Sequence, residues 1–187
     1  MSIHVIIDGY NLIRQSHTLS ELDRLDLQQG RDALVDRLAA YKRIKPHKIT
    51  IDFDGPKALS FSQTRDYIKG IGIKFSRGGE SADTVIKRMV QRQREKALVV
   101  SSDLDLVKVA ESYGAATISS PDFEEKLAMA EYRHVKGHDD EAESGWIPTT
   151  KKKGPSRRLS KRMRRNRIKV SKLKPDQAKN QLAAIKK

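Results

Sequence analysis

Four aspartates, Asp8, Asp54, Asp83 and Asp103, recur at comparable points of their segments. Asp8 closes the apolar run Ile3, Val5, Ile6, Ile7, and Asp54 follows Ile49-Thr50-Ile51-Asp52-Phe53. Asp103 follows Leu98-Val99-Val100-Ser101-Ser102, and Asp83 lies two residues beyond Ser81, a residue type that caps helices. Carboxylates gathered in one cleft repel one another and raise at least one pKa unless a cation is present. A hard-cation site suits such a set best, with Mg²⁺ or Mn²⁺ held by a few carboxylates and water. Ions of that kind stabilise both the attacking and the leaving oxygen of a phosphodiester and activate water near neutral pH.

Each acid also has a plainer explanation. Asp before Gly forms turns, which applies to Asp8-Gly9 and Asp54-Gly55. An acid in a first helical turn favours the helix dipole, which applies to Asp83 and Asp105. Glu80 reads as a turn residue, and Asp52, alternating with Phe53, as solvated or helix-facing. Asp8 is the hardest to dismiss, because a strand buried on both faces has little use for an acid except at a site. If the strand before Asp103 pairs beside the first, Asp8 and Asp103 converge at one sheet edge, where open α/β sheets bind ligands.

The charge distribution suggests the substrate. Residues 151–187 carry 16 Lys and Arg against one acid, Asp176, whereas residues 1–150 carry 22 against 23, so the net +14 resides in the last fifth of the chain. Lys151, Lys152, Lys153, Arg157, Arg158, Lys161, Arg162, Arg164, Arg165, Arg167 and Lys169 form a run suited to phosphate neutralisation, which is sequence-independent and sensitive to salt. No aromatic residue follows Trp146, so base stacking has no partner there. A solubilising charge run is the plain alternative. Anionic lipid is disfavoured by the lack of an apolar face. An acidic site and a polycation together indicate metal-assisted hydrolysis of a nucleic acid.

Other chemistries find little support. The chain has no cysteine, which excludes disulfides, thiolate metal sites and a Cys nucleophile. Ser101-Ser102 lacks a Gly-x-Ser-x-Gly elbow, Gly78-Gly79 is not followed by Gly-Lys-Ser/Thr, and His134/His138 has no accompanying acid of the HExxH kind. Neither a signal-like start nor a run of about 20 apolar residues is present, so a soluble, cytoplasmic protein is expected, with no membrane partner and no organic cofactor.

The elements that must position these acids alternate. Strands are predicted at 3–7, 48–53, 70–75, 97–100 and 115–119. Helices are predicted from Leu27 to Lys45-Pro46, from Ser81 to about Arg94, over 104–113 closed by Gly114, and from Pro121 through Val135. His17–Asp26 reads as a polar connection, and Lys57–Gly70 as a short helix or ordered loop. This order predicts a parallel sheet with helices on both faces. The domain spans 1–137, an acidic linker 138–150, and a basic, largely disordered tail 151–187, of which 156–170 becomes helical against an anion.

Ile7-Asp8-Gly9-Tyr10-Asn11-Leu12, Phe53-Asp54-Gly55, Gly79-Glu80-Ser81-Ala82-Asp83 and Val100-Ser101-Ser102-Asp103-Leu104-Asp105 resemble, in this order, the NYN domains of the PIN-like nuclease superfamily. The nearest branch is the YacP-like group, which includes ribosome-associated endoribonucleases. The resemblance covers roughly residues 3–135. It implies a three-layer α/β/α sandwich, Mg²⁺- or Mn²⁺-dependent RNase activity, and RNA and the ribosome as partners. It further implies Asp8, Asp83 and Asp103 as metal-binding acids, Asn11 as an amide beside the first, and Asp54 and Asp105 at less invariant positions. Water attack would leave 5′-phosphate and 3′-hydroxyl ends. The rival readings are a non-catalytic RNA- or ribosome-binding protein and a structure-specific DNA nuclease, the latter needing a strand-threading element, for which Lys57–Gly70 is the only insertion of any size.

Overall fold

The computed structural model describes residues 3–55, 65–77, 79–135 and 161–173. Strand β1 (His4–Asp8) runs between β2 (Lys48–Phe53) and β5 (Ala97–Val100), parallel to both. On the far side of β2 lies β4 (Ile71–Phe75), and on the far side of β5 lies β6 (Ala116–Ile118), again parallel. An antiparallel strand β3 (Arg65–Ile68) closes one edge, giving the order β3-β4-β2-β1-β5-β6. Chain progression reverses direction at β1, so the carboxyl ends of β1 and β5 flank the switch point where such sheets bind ligands.

The central strands are apolar throughout because helices cover both faces. On one face Val5, Ile7, Ile51, Phe53, Leu98 and Val100 pack against α1 (Gly9–Gln15), α2 (His17–Leu25), α3 (Leu27–Ile44) and α6 (Ser120–Val135). On the other, Ile6, Ala97 and Val99 meet α4 (Ala82–Gln93) and α5 (Leu104–Ser112) through Val85, Ile86, Val90, Leu106 and Ala110. Val5, Ile6 and Ile7 are fully buried, each contributing about 1.5–3 kcal/mol by removal from water. This is the three-layer α/β/α sandwich, with the strand beside Asp103 next to the first strand as expected. None of the described helices is long and apolar enough to cross a membrane.

Three regions depart from the sequence expectation. Residues 9–15 and 17–25 form helices where a turn and a polar connection were expected. Ser16 caps α2 by accepting from the Leu19 amide; Leu19, Leu22 and Leu25 recur at helical spacing, although only Leu19 is buried and Leu25 is exposed. Residues 65–68 form β3, joined to β4 by Lys69-Gly70, whose positive φ angles (50° and 80°) suit a two-residue hairpin turn; residues 57–64 lie outside the described residues.

The third departure is in the basic tail. Residues 161–172 form helix α7 (Lys161–Lys172), docked on β6. Leu173 is fully buried in the core, and its carbonyl accepts a 2.9 Å bond from the Tyr41 hydroxyl. The Asn166 side chain accepts from the Thr117 amide at 3.0 Å, satisfying a donor on the otherwise open edge of β6. Arg165 pairs with Glu95. Asn166, Val170 and Leu173 anchor this helix, spaced three to four apart and hidden in the sequence by the basic residues between them. The linker 138–150, Trp146, His138, Lys151, Lys152, Lys153, Arg157 and Arg158 lie outside the described residues.

Candidate active site

Asp8 ends β1 and caps α1. Its Oδ1 accepts from the Asn11 amide at 3.2 Å and its Oδ2 from the Ser101 hydroxyl at 3.2 Å. The chain enters α1 directly because Gly9 has no side chain: a Cβ there would stand 2.3 Å from the Phe53 ring. Any larger residue would displace the turn that aims Asp8. Burial raises the Asp8 pKa to about 6; the Asn11 amide opposes the rise, and the negative charges of Asp83 and Asp54 add to it.

Asp83 sits in the first turn of α4, behind the Ser81 cap. Its pKa is raised by burial and by Asp103 and Asp54, with Lys87 opposing across 3.8 Å. Asp54 lies at the end of β2, where its Oδ1 accepts from the Ala82 amide at 2.7 Å and ties β2 to the start of α4. Asp103 caps α5, its Oδ1 accepting from the Asp105 and Leu106 amides at 2.8 and 3.0 Å. Those bonds to the ionised form lower its pKa. Asp8, Asp54, Asp83 and Asp103 therefore share one edge, where Asp8 feels the charges of Asp83 and Asp54, and Asp83 those of Asp103 and Asp54. Asp105 is exposed and pairs with Lys108 at 3.5 Å, and Glu80 pairs with Arg88.

Among the described residues, no three acids or histidines converge into a ready metal cage. The donor chemistry is nonetheless of the kind a hard cation takes, carboxylate oxygens completed by water. Asp8 is acidic, half-buried and crowded by like charge, which a cation would relieve, and Asp83 and Asp103 present carboxylates from α4 and from the cap of α5.

Asn11 holds the edge together. Its Oδ1 accepts from the Ser102 amide at 2.9 Å and the Ser120 hydroxyl at 2.7 Å, while its own amide donates to Asp8. The Ser120 amide donates to the Ser102 hydroxyl at 3.2 Å. Asn11 thus joins α1 to the ends of β5 and β6, and Ser101 carries the connection from the Asp103 amide to Asp8. Sequence reading missed Ser120; the Ser119-Ser120 pair following β6, matching Ser101-Ser102 after β5, was its signal.

Asp52 corrects another reading. It is 1% exposed, and neither carboxyl oxygen has a hydrogen-bond partner among the described residues. In register it lies between Asp8 of β1 and Lys74 of β4. Burial raises its pKa to about 7, Lys74 opposes, and Asp8 adds a little. The helix-facing alternative holds and solvation does not, because α4 covers that face of β2.

Beside Ser101 and Ser102 a groove of about 600 Å³ opens between the sheet edge and α7, lined by Leu104, Asp122, Met163 and Arg167 among others. Of the basic residues singled out in the sequence, Arg164, Arg165, Arg167 and Lys169 have described side chains on α7, and Arg167 reaches this groove. Lys161 and Arg162 lie on the same helix.

A family model described as the YacP-like NYN domain matches residues 5–174, past the end of α7 and well beyond the 3–135 covered by the sequence resemblance. The Bacillus subtilis (strain 168) protein YacP is 28% identical over 89 residues, 46% of this chain and 51% of that one, so the match spans about half of that relative. The crystal structure of Rae1 (YacP) from Bacillus subtilis aligns with a TM-score of 0.60 at 22% identity, covering 73% of this chain and 79% of that one. A tryptophan-to-leucine mutant of the same Bacillus subtilis protein gives 0.58 at 20%, covering 72% and 80%. At these identities the structural likeness establishes the shared fold.

Proposed function

This chain belongs to the YacP-like NYN family, a nuclease-type, RNA-related family, and from that premise we propose that it is a divalent-metal-dependent endoribonuclease that cuts RNA internally. The observation that carries the reading is Asp8: a carboxylate held at the switch point of the sheet, pushed up to about 6 by burial and by neighbouring acids. A catalytic edge is where such an arrangement is useful. Asp8, Asp83 and Asp103 would hold Mg²⁺ or Mn²⁺, with Asp54 supporting from the end of β2. The ion would supply charge neutralisation at the phosphodiester and activation of water.

The chain's own residues do the rest. Ser101 and the Asn11 amide fix both oxygens of Asp8, so its orientation does not depend on ligand. Asn11 holds the loops after β5 and β6 at a constant separation through its two accepted bonds. Docking of α7 places Arg167 in the groove beside Ser101 and Ser102, next to the edge that carries the acids, which favours a polyanion lying along that edge. The tail 151–187 raises affinity and the body selects the bond to be cut. The ribosome is a further partner on this reading, and the cytoplasm its place of action.

Incubation of labelled single-stranded RNA and DNA with the protein, in Mn²⁺ or in EDTA, separates the readings. Internal cuts in RNA alone, only with Mn²⁺ and leaving 5′-phosphate ends, are expected. Retention of RNA without cutting would support a binding protein on this fold, and cutting of DNA alone would support a DNA nuclease.

A further inference from the structure

Tyr10 stands two residues beyond Asp8, on the first turn of α1, and packs edge-on against Phe53 with ring centroids 5.1 Å apart. Phe53 stacks on Phe75 at 5.7 Å. Into this aromatic corner α3 sends Arg31, whose guanidinium carbon lies 5.5, 5.6 and 5.3 Å from the centroids of Tyr10, Phe53 and Phe75. Its Nε donates to the Tyr10 hydroxyl at 3.0 Å, Nη2 donates to the same oxygen, and Nη1 reaches Gln28 Oε1 at 3.4 Å. The Arg14 guanidinium covers the Tyr10 ring at 5.6 Å.

This half-buried guanidinium has no carboxylate partner among the described residues, although α3 contributes Asp32 and Asp36 nearby in sequence, and Asp36 pairs with Lys69 instead. Buried or partly buried charges are normally paired, because a cation taken from water without an anion is costly. The cation–π contacts hold the guanidinium in place without neutralising it. Two of its five N–H donors remain unused, and the Tyr10 hydroxyl, accepting from Arg31, has its own proton to give. Arg14, on the exposed side of Tyr10, adds a second cation without a carboxylate partner among the described residues.

We propose that Arg31, Tyr10 and Arg14 form a phosphate-binding subsite that holds an RNA backbone phosphate flanking the one at the acidic edge. Asp8 faces the α4 side of the sheet, and the Arg31 corner lies on the α1 and α3 side of the same strand ends. A single strand laid across the carboxyl edge meets both. The planar fork of Arg31, immobilised by three rings, is pre-organised for two parallel bonds to phosphate oxygens. The subsite reads backbone and not bases, so its contribution is independent of sequence.

This inference rests on the RNA reading above, and binding without metal tests it apart from cleavage. Anisotropy of a fluorescein-labelled 12-nucleotide RNA in EDTA, over a salt series, is compared for wild type, Arg31→Met, Arg31→Lys and Arg14→Ala, with thermal unfolding alongside. Arg31→Met is expected to weaken binding roughly tenfold at moderate salt, equally for oligonucleotides of different sequence, and to reduce the log–log salt slope by about one. Arg31→Lys keeps the slope and loses part of the affinity. Arg14→Ala, at an exposed position, lowers affinity and slope without lowering the melting temperature, and it decides the matter if Arg31→Met does not fold. A folded Arg31→Met protein with wild-type slope and affinity overturns the subsite while leaving the nuclease reading standing. A wild-type protein that binds RNA with these residues but cuts nothing retains the subsite and removes the nuclease.

Discussion

Replacing Asp52 by Asn should flatten the dependence of stability on pH, because the buried carboxyl is easier to keep protonated than ionised. Its pKa stands at about 7 in the fold against 3.8, the ordinary value for an aspartate in an unfolded chain. The folded state therefore holds the proton more tightly. Its stabilising contribution is fully present below about pH 4, falls as pH rises towards 7, and is gone above that. The shift of about three units corresponds to roughly 4 kcal/mol across that window, or about 1.4 kcal/mol per pH unit in its middle. Asn has the shape of the protonated acid and cannot ionise. Urea unfolding followed by circular dichroism, in EDTA at pH 4.5, 5.5, 6.5 and 7.5, measures both proteins. The difference in stability should move in favour of Asp52→Asn by about 1.4 kcal/mol per unit between pH 4.5 and 6.5, and level off near 7. Both proteins keep the smaller decline due to Asp8, whose pKa of about 6 has the same sign. A difference that stays constant over the series would refute the burial argument, since it would mean that Asp52 titrates alike folded and unfolded.

Three other perturbations follow from the packing. Asn11→Ala leaves the Ser102 amide and the Ser120 hydroxyl without their acceptor, and should cost about 2–3 kcal/mol in urea unfolding. Gly9→Ala drives a methyl into the Phe53 ring; overpacking of this kind costs about 1–3 kcal/mol and is read as a lowered melting temperature. Leu173→Ala removes a fully buried side chain, with an expected loss of about 2–4 kcal/mol. The same change should loosen α7, so that the Thr117 amide, bonded to Asn166, exchanges its hydrogen faster.

The sheet was legible because its strands are buried on both faces, and runs such as Val5-Ile6-Ile7 and Leu98-Val99-Val100 carry that burial in plain sequence. Elements that bury little were harder to place: α2 carries Leu19, Leu22 and Leu25 at helical spacing among polar residues but hides only the first, and β3 leaves Tyr67 exposed at 68%. Helix α7 was obscured for a different reason. Basic side chains dominate its composition, while the residues that dock it are an amide, a valine and one leucine beyond its end. The acids Asp8, Asp54, Asp83 and Asp103 could be picked out because each ends or begins an element at the same sheet edge. Asp52 could not be placed, since alternation gives the face of a strand but not what covers it. For Tyr10 the sequence favours packing over base stacking, and it does pack on Phe53; its partner Arg31, however, is 21 residues away on another helix, and only the fold brings them together.

The central claim is tested most directly by one comparison, the cleavage of a labelled single-stranded RNA in Mn²⁺ by wild type and by Asp8→Asn, with binding of the same RNA measured in EDTA. The account predicts that wild type cuts internally and needs the ion, and that Asp8→Asn binds as wild type does but loses cleavage by a factor of at least about 100, on the scale of removing a group that stabilises the transition state. Cutting by Asp8→Asn at the wild-type rate, or by wild type in EDTA, would contradict it.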